Sequence, residues 1–99
     1  MSAVVEFVSF KLKEGISDQQ LIAASDVFEA GFLSLQKGYT SRQLVKGKDA
    51  WADIALWETM EDAMNAVKAV EQHPAADSYD ACIEQSSVKM QHFTIVKRY

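Results

Sequence analysis

From Ala3 to Leu12 the chain carries Val4, Val5, Phe7, Val8 and Phe10, β-branched and aromatic residues that fit a pleated surface, and Glu14-Gly15 then supplies a turn. This predicts a first strand. Ser17 with Gln20 three residues on forms a capping box, and Leu21, Ala24, Phe28, Phe32 and Leu35 follow at helical spacing until Lys37-Gly38 closes the segment. This predicts a first helix. Runs over 39–46 and 51–58 flank the short Gly47-Lys48-Asp49-Ala50 connection and should pair as an antiparallel hairpin. Thr59 is the next N-cap, with Asp62 placed to favour the helix dipole, and Met60, Ala63, Met64, Val67 and Val70 make one apolar stripe. Pro74 cannot continue that helix but suits the first turn of another, so a short helical segment is expected over 74–83, with Tyr79 and Ile83 inward. A fourth strand is expected over about 88–96.

The order strand, helix, strand, strand, helix, strand folds into a four-stranded antiparallel sheet with both helices on one face, a ferredoxin-like α+β architecture. In a monomer the other face should be polar. It is not: Ala3, Val5 and Phe7 on the first strand and Ala52, Ile54 and Leu56 on the third form a second apolar set. At about 25 cal/mol per Å² of apolar surface, leaving that face wet would forfeit several kcal/mol. A second copy with twofold symmetry is the expected cover, which makes the chain a single domain over residues 1–99 and a homodimer.

Composition narrows the partners. Ten Lys and Arg against fourteen Asp and Glu leave a net charge of −4, so nucleic acid and anionic membrane surfaces are not expected partners. No stretch free of those four residue types exceeds seven residues, against the roughly twenty needed to span a bilayer. The lone Cys82 cannot form an intramolecular disulfide and suits a reducing compartment, so a cytoplasmic location is expected. The four glycines are dispersed and form no phosphate loop, and neither histidine has a partner at metal-ligand spacing. No cofactor or metal is expected. RNA-recognition modules share the element order, but their stacking aromatics and basic residues are missing from the third strand.

Three segments carry a resemblance: FKLKEGIS at 10–17, LWETMEDA at 56–63 and HPAADSY at 73–79. Together they resemble the dimeric α+β barrel superfamily. LWETMEDA is similar to antibiotic-biosynthesis monooxygenase domains, while FKLKEGIS and the His-Pro break resemble the stress-responsive α/β-barrel group that includes plant polyketide cyclases. The resemblance implies two sheets packed face to face as a barrel, with a small-molecule cleft in each subunit between its sheet and its helices.

Residue by residue the family sets are incomplete. Trp57 matches the cleft tryptophan of the quinone-forming monooxygenases, whereas their asparagine falls on Asp53 and their tyrosine on Ala63. The heme-degrading members' asparagine, tryptophan and histidine fall on Val8, Ala66 and Ala76, so heme is not expected. The cyclase-like histidines fall on Glu6 and Ala76, and His73 alone remains of that motif.

Glu6 is the most informative residue, because strand alternation sets it on the face of Val8, Phe10 and Leu12. A carboxylate deprived of water among apolar side chains is a candidate general base; the structural alternative is a wet strand end or a cross-strand ion pair. Aligned family patterns put Glu6, Asp53 and Trp57 on the cleft side, where paired carboxylates would perturb each other. Trp57 is either a cleft wall that stacks on an aromatic ligand or core packing. His92 is either a proton shuttle or a satisfied strand histidine. His73 is either a ligand contact or a cap at the end of the second helix. Arg42 is expected in an exposed ion pair. The candidate catalytic residues are therefore Glu6 and His92, and the candidate substrate-binding residues are Trp57, Asp53, His73 and Phe10. The resemblance implies cofactor-independent monooxygenation of an aromatic or polyketide-like substrate. The competing expectation is a non-catalytic binding or stress-response module whose cleft is filled by Phe10, Phe28, Phe32 and Trp57.

Overall fold

The computed structural model describes residues 2–99. Its elements are β1 (Val4–Leu12), α1 (Asp18–Gly31), β2 (Tyr39–Lys46), β3 (Trp51–Trp57), α2 (Met60–Val70), α3 (Asp77–Cys82) and β4 (Ile83–Thr94), with 3-10 turns at Leu33–Leu35 and Pro74–Ala76. All strand pairs are antiparallel, in the order β2-β3-β1-β4. This is the expected ferredoxin-like α+β fold. The local signals behave as their chemistry requires. Ser17 Oγ accepts from the Gln20 amide while the Gln20 side chain accepts from the Ser17 amide, and Thr59 Oγ1 accepts from the Asp62 amide.

Two boundaries differ from expectation. The first helix stops at Gly31 instead of running to Lys37, so Leu35 points into solvent at 74% exposure. The turn comes where the chain passes under residues 74–76: a Cβ on Gly31 would stand 2.9 Å from Ala75 Cβ, and Phe32 leaves helical geometry at φ −135°. Gly38 then turns the chain into β2 at φ +82°, where any side chain would collide with Asp62. The second difference is in β4, which begins at Ile83 instead of Val88. Leu12 pairs with Ile83 and Lys11 with Glu84, but Ser9 pairs with Lys89, so Phe10 alone faces residues 85–88. The arch is held by Ser87 Oγ, which accepts from the Lys11 amide at 2.8 Å.

Two buried clusters meet at Phe28 beneath the helices, one around Val4, Phe32 and Trp57 and the other around Phe10, Leu21 and Tyr79. Trp51 packs at the edge of the second cluster. The opposite face carries Val5, Phe7, Ile54 and Leu56 as register neighbours, together with Phe93 at 51% exposure and Val45. No element among the described residues covers it. No helix among the described residues is long and apolar enough to cross a membrane.

Candidate active site

A partly open cavity of about 170 Å³ lies between the helix side of the sheet and the helices. Strand alternation determines its floor: Glu6, Val8 and Phe10 from β1 and Asp53, Ala55 and Trp57 from β3 all point into it. Phe28 and Tyr79 close one side from α1 and α3, and Val67 and Val70 from α2 close another. The walls are mostly apolar, so each polar group that reaches the space has a defined surrounding.

Glu6 is one such group. Oε2 of its carboxylate is 2.7 Å from Nε2 of His92, its direct cross-strand neighbour on β4, and both side chains are largely buried. An ionised Glu6 accepts from an Nε2–H tautomer, which fixes the carboxylate's orientation while it faces the cavity. His92 stands behind Glu6 and is not part of the lining.

Asp53 has a different environment. Its Oδ1 accepts from Arg42 Nε at 2.9 Å and its Oδ2 accepts from the Tyr79 hydroxyl at 2.6 Å. The guanidinium also donates to Glu29 Oε1 and Ser25 Oγ, and Tyr39 donates to the same Glu29 oxygen. The expected paired carboxylates therefore do not form: Asp53 is neutralised by Arg42 and is not held against Glu6. The exposed ion pair expected of Arg42 is corrected as well, since its side chain is 7% exposed and lies 5.6 and 5.4 Å from the Phe28 and Tyr79 ring centres. Burial opposes the guanidinium charge, but Asp53 and the hydrogen bonds outweigh it and hold the group above its usual value. Burial and the adjacent Asp53 push the Tyr79 phenol well up, and burial with Glu29 does the same to Tyr39. Asp80, also in the lining, is shifted upward by burial and by Asp77.

Trp57 forms the end of the cavity and is almost fully buried, edge-on to Tyr39 at 5.4 Å. Its Nε1–H is buried with no acceptor among the described residues. Such an orphaned donor costs about 1–3 kcal/mol. Phe10 lines the same cavity. His73 is outside the lining: its amide donates to the carbonyl of Val70 at the end of α2 at 3.0 Å, while its Nδ1 accepts from the Ala75 amide at 3.1 Å and so caps the start of the turn at Pro74. Cys82 is buried and free, and no three His, Cys, Asp or Glu side chains among the described residues gather as a metal site.

Glu6, Asp53, Trp57 and Phe10 thus share one cavity, His92 supports it from behind, and His73 is elsewhere. Arg42 and Tyr79 complete the polar wall, with Ser25 and Glu29 holding the guanidinium from outside the lining, and none of the four was among the expected site residues. One signal for them was available: the four-residue hairpin connection sets Lys46 opposite Trp51, which carries Arg42 to the position diagonal to Asp53 on the same face. Ser25 and Glu29, one helical turn apart, then meet that arginine from above.

No protein family model and no curated protein matches the chain. Solved structures do. A candidate antibiotic biosynthesis monooxygenase from Bordetella bronchiseptica superposes with a TM-score of 0.81 at 13% identity over 98% of this chain and 100% of that one. SnoaB, a cofactor-independent oxygenase from Streptomyces nogalater, gives 0.68 at 15% identity over 100% and 96%. A candidate antibiotic biosynthesis monooxygenase from Chloroflexus aurantiacus gives 0.71 at 16% over 99% and 97%. The superpositions span nearly the whole chain, so the chain shares the ferredoxin-like α+β fold of these proteins.

Proposed function

We propose that the chain is a cytoplasmic homodimer that binds a small aromatic molecule in this cavity and oxygenates it with dioxygen alone. The observation that carries the reading is a carboxylate, Glu6, facing an apolar cavity and oriented by a single imidazole. The fold shared with a cofactor-independent oxygenase supports it. The uncovered apolar face of the sheet supports the homodimer, and a lone buried thiol supports a reducing compartment.

In this mechanism Glu6 takes the proton of a phenolic hydroxyl held against Trp57, and His92 donates its Nε2–H to the carboxylate between turnovers. The phenolate is electron-rich at a ring carbon, which bonds to one atom of dioxygen; the proton returning from Glu6 completes a ring hydroperoxide. Loss of the hydrogen on that carbon, with cleavage of the O–O bond, leaves a quinone carbonyl and one water. The phenol loses two electrons beyond the oxygen inserted, and dioxygen accepts all four.

The competing reading, a non-catalytic binding or stress-response module with a filled cleft, draws on the near-complete burial of Phe10, Phe32 and Trp57. Oxygen consumption with a panel of phenols and quinols, run with ¹⁸O₂, separates the two. Label in the product carbonyl is expected. Saturable binding with no oxygen uptake across the panel would make the chain a binding module, and no binding at all would mean a filled cleft.

A further inference from the structure

The aromatic wall of the cavity is pinned, and pinning sets a size. Phe28 and Phe32 are stacked at 5.7 Å and 4°, and Phe28 and Tyr79 at 5.3 Å and 18°, so three rings form one continuous aromatic wall of the cleft. Tyr79 is tied to Asp53 at 2.6 Å, and the Arg42 guanidinium sits over both Phe28 and Tyr79 while bonded to Asp53, Glu29 and Ser25. Swinging the Tyr79 ring aside would break its hydrogen bond to the buried Asp53 carboxylate, and moving Phe28 would lose its stack on Tyr79 and its contact with the guanidinium. The remaining space of about 170 Å³ is close to the ~150 Å³ in which an engineered apolar cavity holds benzene.

Resting on the functional reading above, we infer that the Arg42–Asp53–Tyr79 network acts as a size gauge, and that the site takes a single aromatic ring carrying an ionisable hydroxyl, excluding fused rings. The hydroxyl meets Glu6, and the ring lies among Phe10, Phe28 and Trp57. Phe28 is the specificity-determining residue, because it stands between the two stacks and touches both buried clusters.

The test is isothermal titration calorimetry under argon with two unreactive probes, 4-hydroxyacetophenone and its two-ring counterpart 6-hydroxy-2-acetonaphthone. The wild-type protein should bind the first at least 10-fold more tightly, and Phe28→Ala should reverse the order, with Phe28→Leu intermediate and serving if the alanine variant fails to fold. Equal affinity for one and two rings, an order unchanged by both Phe28 variants, or no binding of either probe would overturn the inference. One-ring selectivity without oxygen uptake by any phenol would leave the gauge standing and remove the oxygenase reading.

Discussion

Oε2 of Glu6 stands 2.7 Å from Nε2 of His92 at directly opposed positions of β1 and β4, with the carboxylate on the cavity side and the imidazole behind it. The pair makes separable demands on stability and chemistry. Glu6→Gln keeps the shape and a hydrogen bond to the ring but loses the proton acceptor, so turnover should fall by about 100-fold or more while the urea midpoint holds or rises. His92→Phe should instead destabilise by about 1–3 kcal/mol, since a largely buried carboxylate loses its partner. Loss of stability in Glu6→Gln with unchanged turnover per folded molecule would make the residue structural.

Arg42 neutralises Asp53 in a largely buried setting, and removing one partner strands the other. Arg42→Met should cost about 3–5 kcal/mol in chemical denaturation. Combining it with Asp53→Asn should recover a large part of that loss. Additive losses in the double variant would show that the two side chains are not coupled.

The Tyr79 phenol is held above its ordinary value near 10 by burial and by Asp53. A raised folded-state value means that the folded protein holds the proton more tightly, so this contribution is complete below pH 10 and is lost as pH rises above it. Stability should therefore fall from about pH 10 upward, and Tyr79→Phe should flatten that part of the curve. Tyr39, shifted in the same direction, should leave a residual slope that Tyr39→Phe removes. A Tyr79→Phe profile parallel to wild type between pH 9 and 11 would count against the Asp53 contact.

Ile54 lies on the uncovered sheet face, opposite Phe7. If a second copy covers that face, Ile54→Lys buries an unpaired charge at the interface, which costs several kcal/mol. Sedimentation equilibrium at micromolar concentration should give about twice the chain mass for wild type and a monomer or unfolded chain for the variant. A wild-type monomer, or a variant of unchanged mass and melting temperature, would exclude this face as the interface.

The elements and their order were legible because each depends on near neighbours: the capping box at Ser17, the N-cap at Thr59, the break at Pro74 and the strand alternation that turns Glu6, Val8 and Phe10 to one side. The same alternation exposed the apolar second face. What near neighbours do not encode is the approach of distant segments. The last position of α1 takes glycine because Ala75, 44 positions away in the chain, leaves no room for a side chain there. The arch at 85–88 exists because β4 must regain its register with β1 after passing Phe10. Arg42 reads as a surface residue in a polar stretch, and only packing of α1 and α3 over β2 and β3 buries it and gathers Ser25, Glu29, Asp53 and Tyr79 around it. Its role depends on the low-dielectric setting those layers create together, and no local pattern of residues specifies that setting.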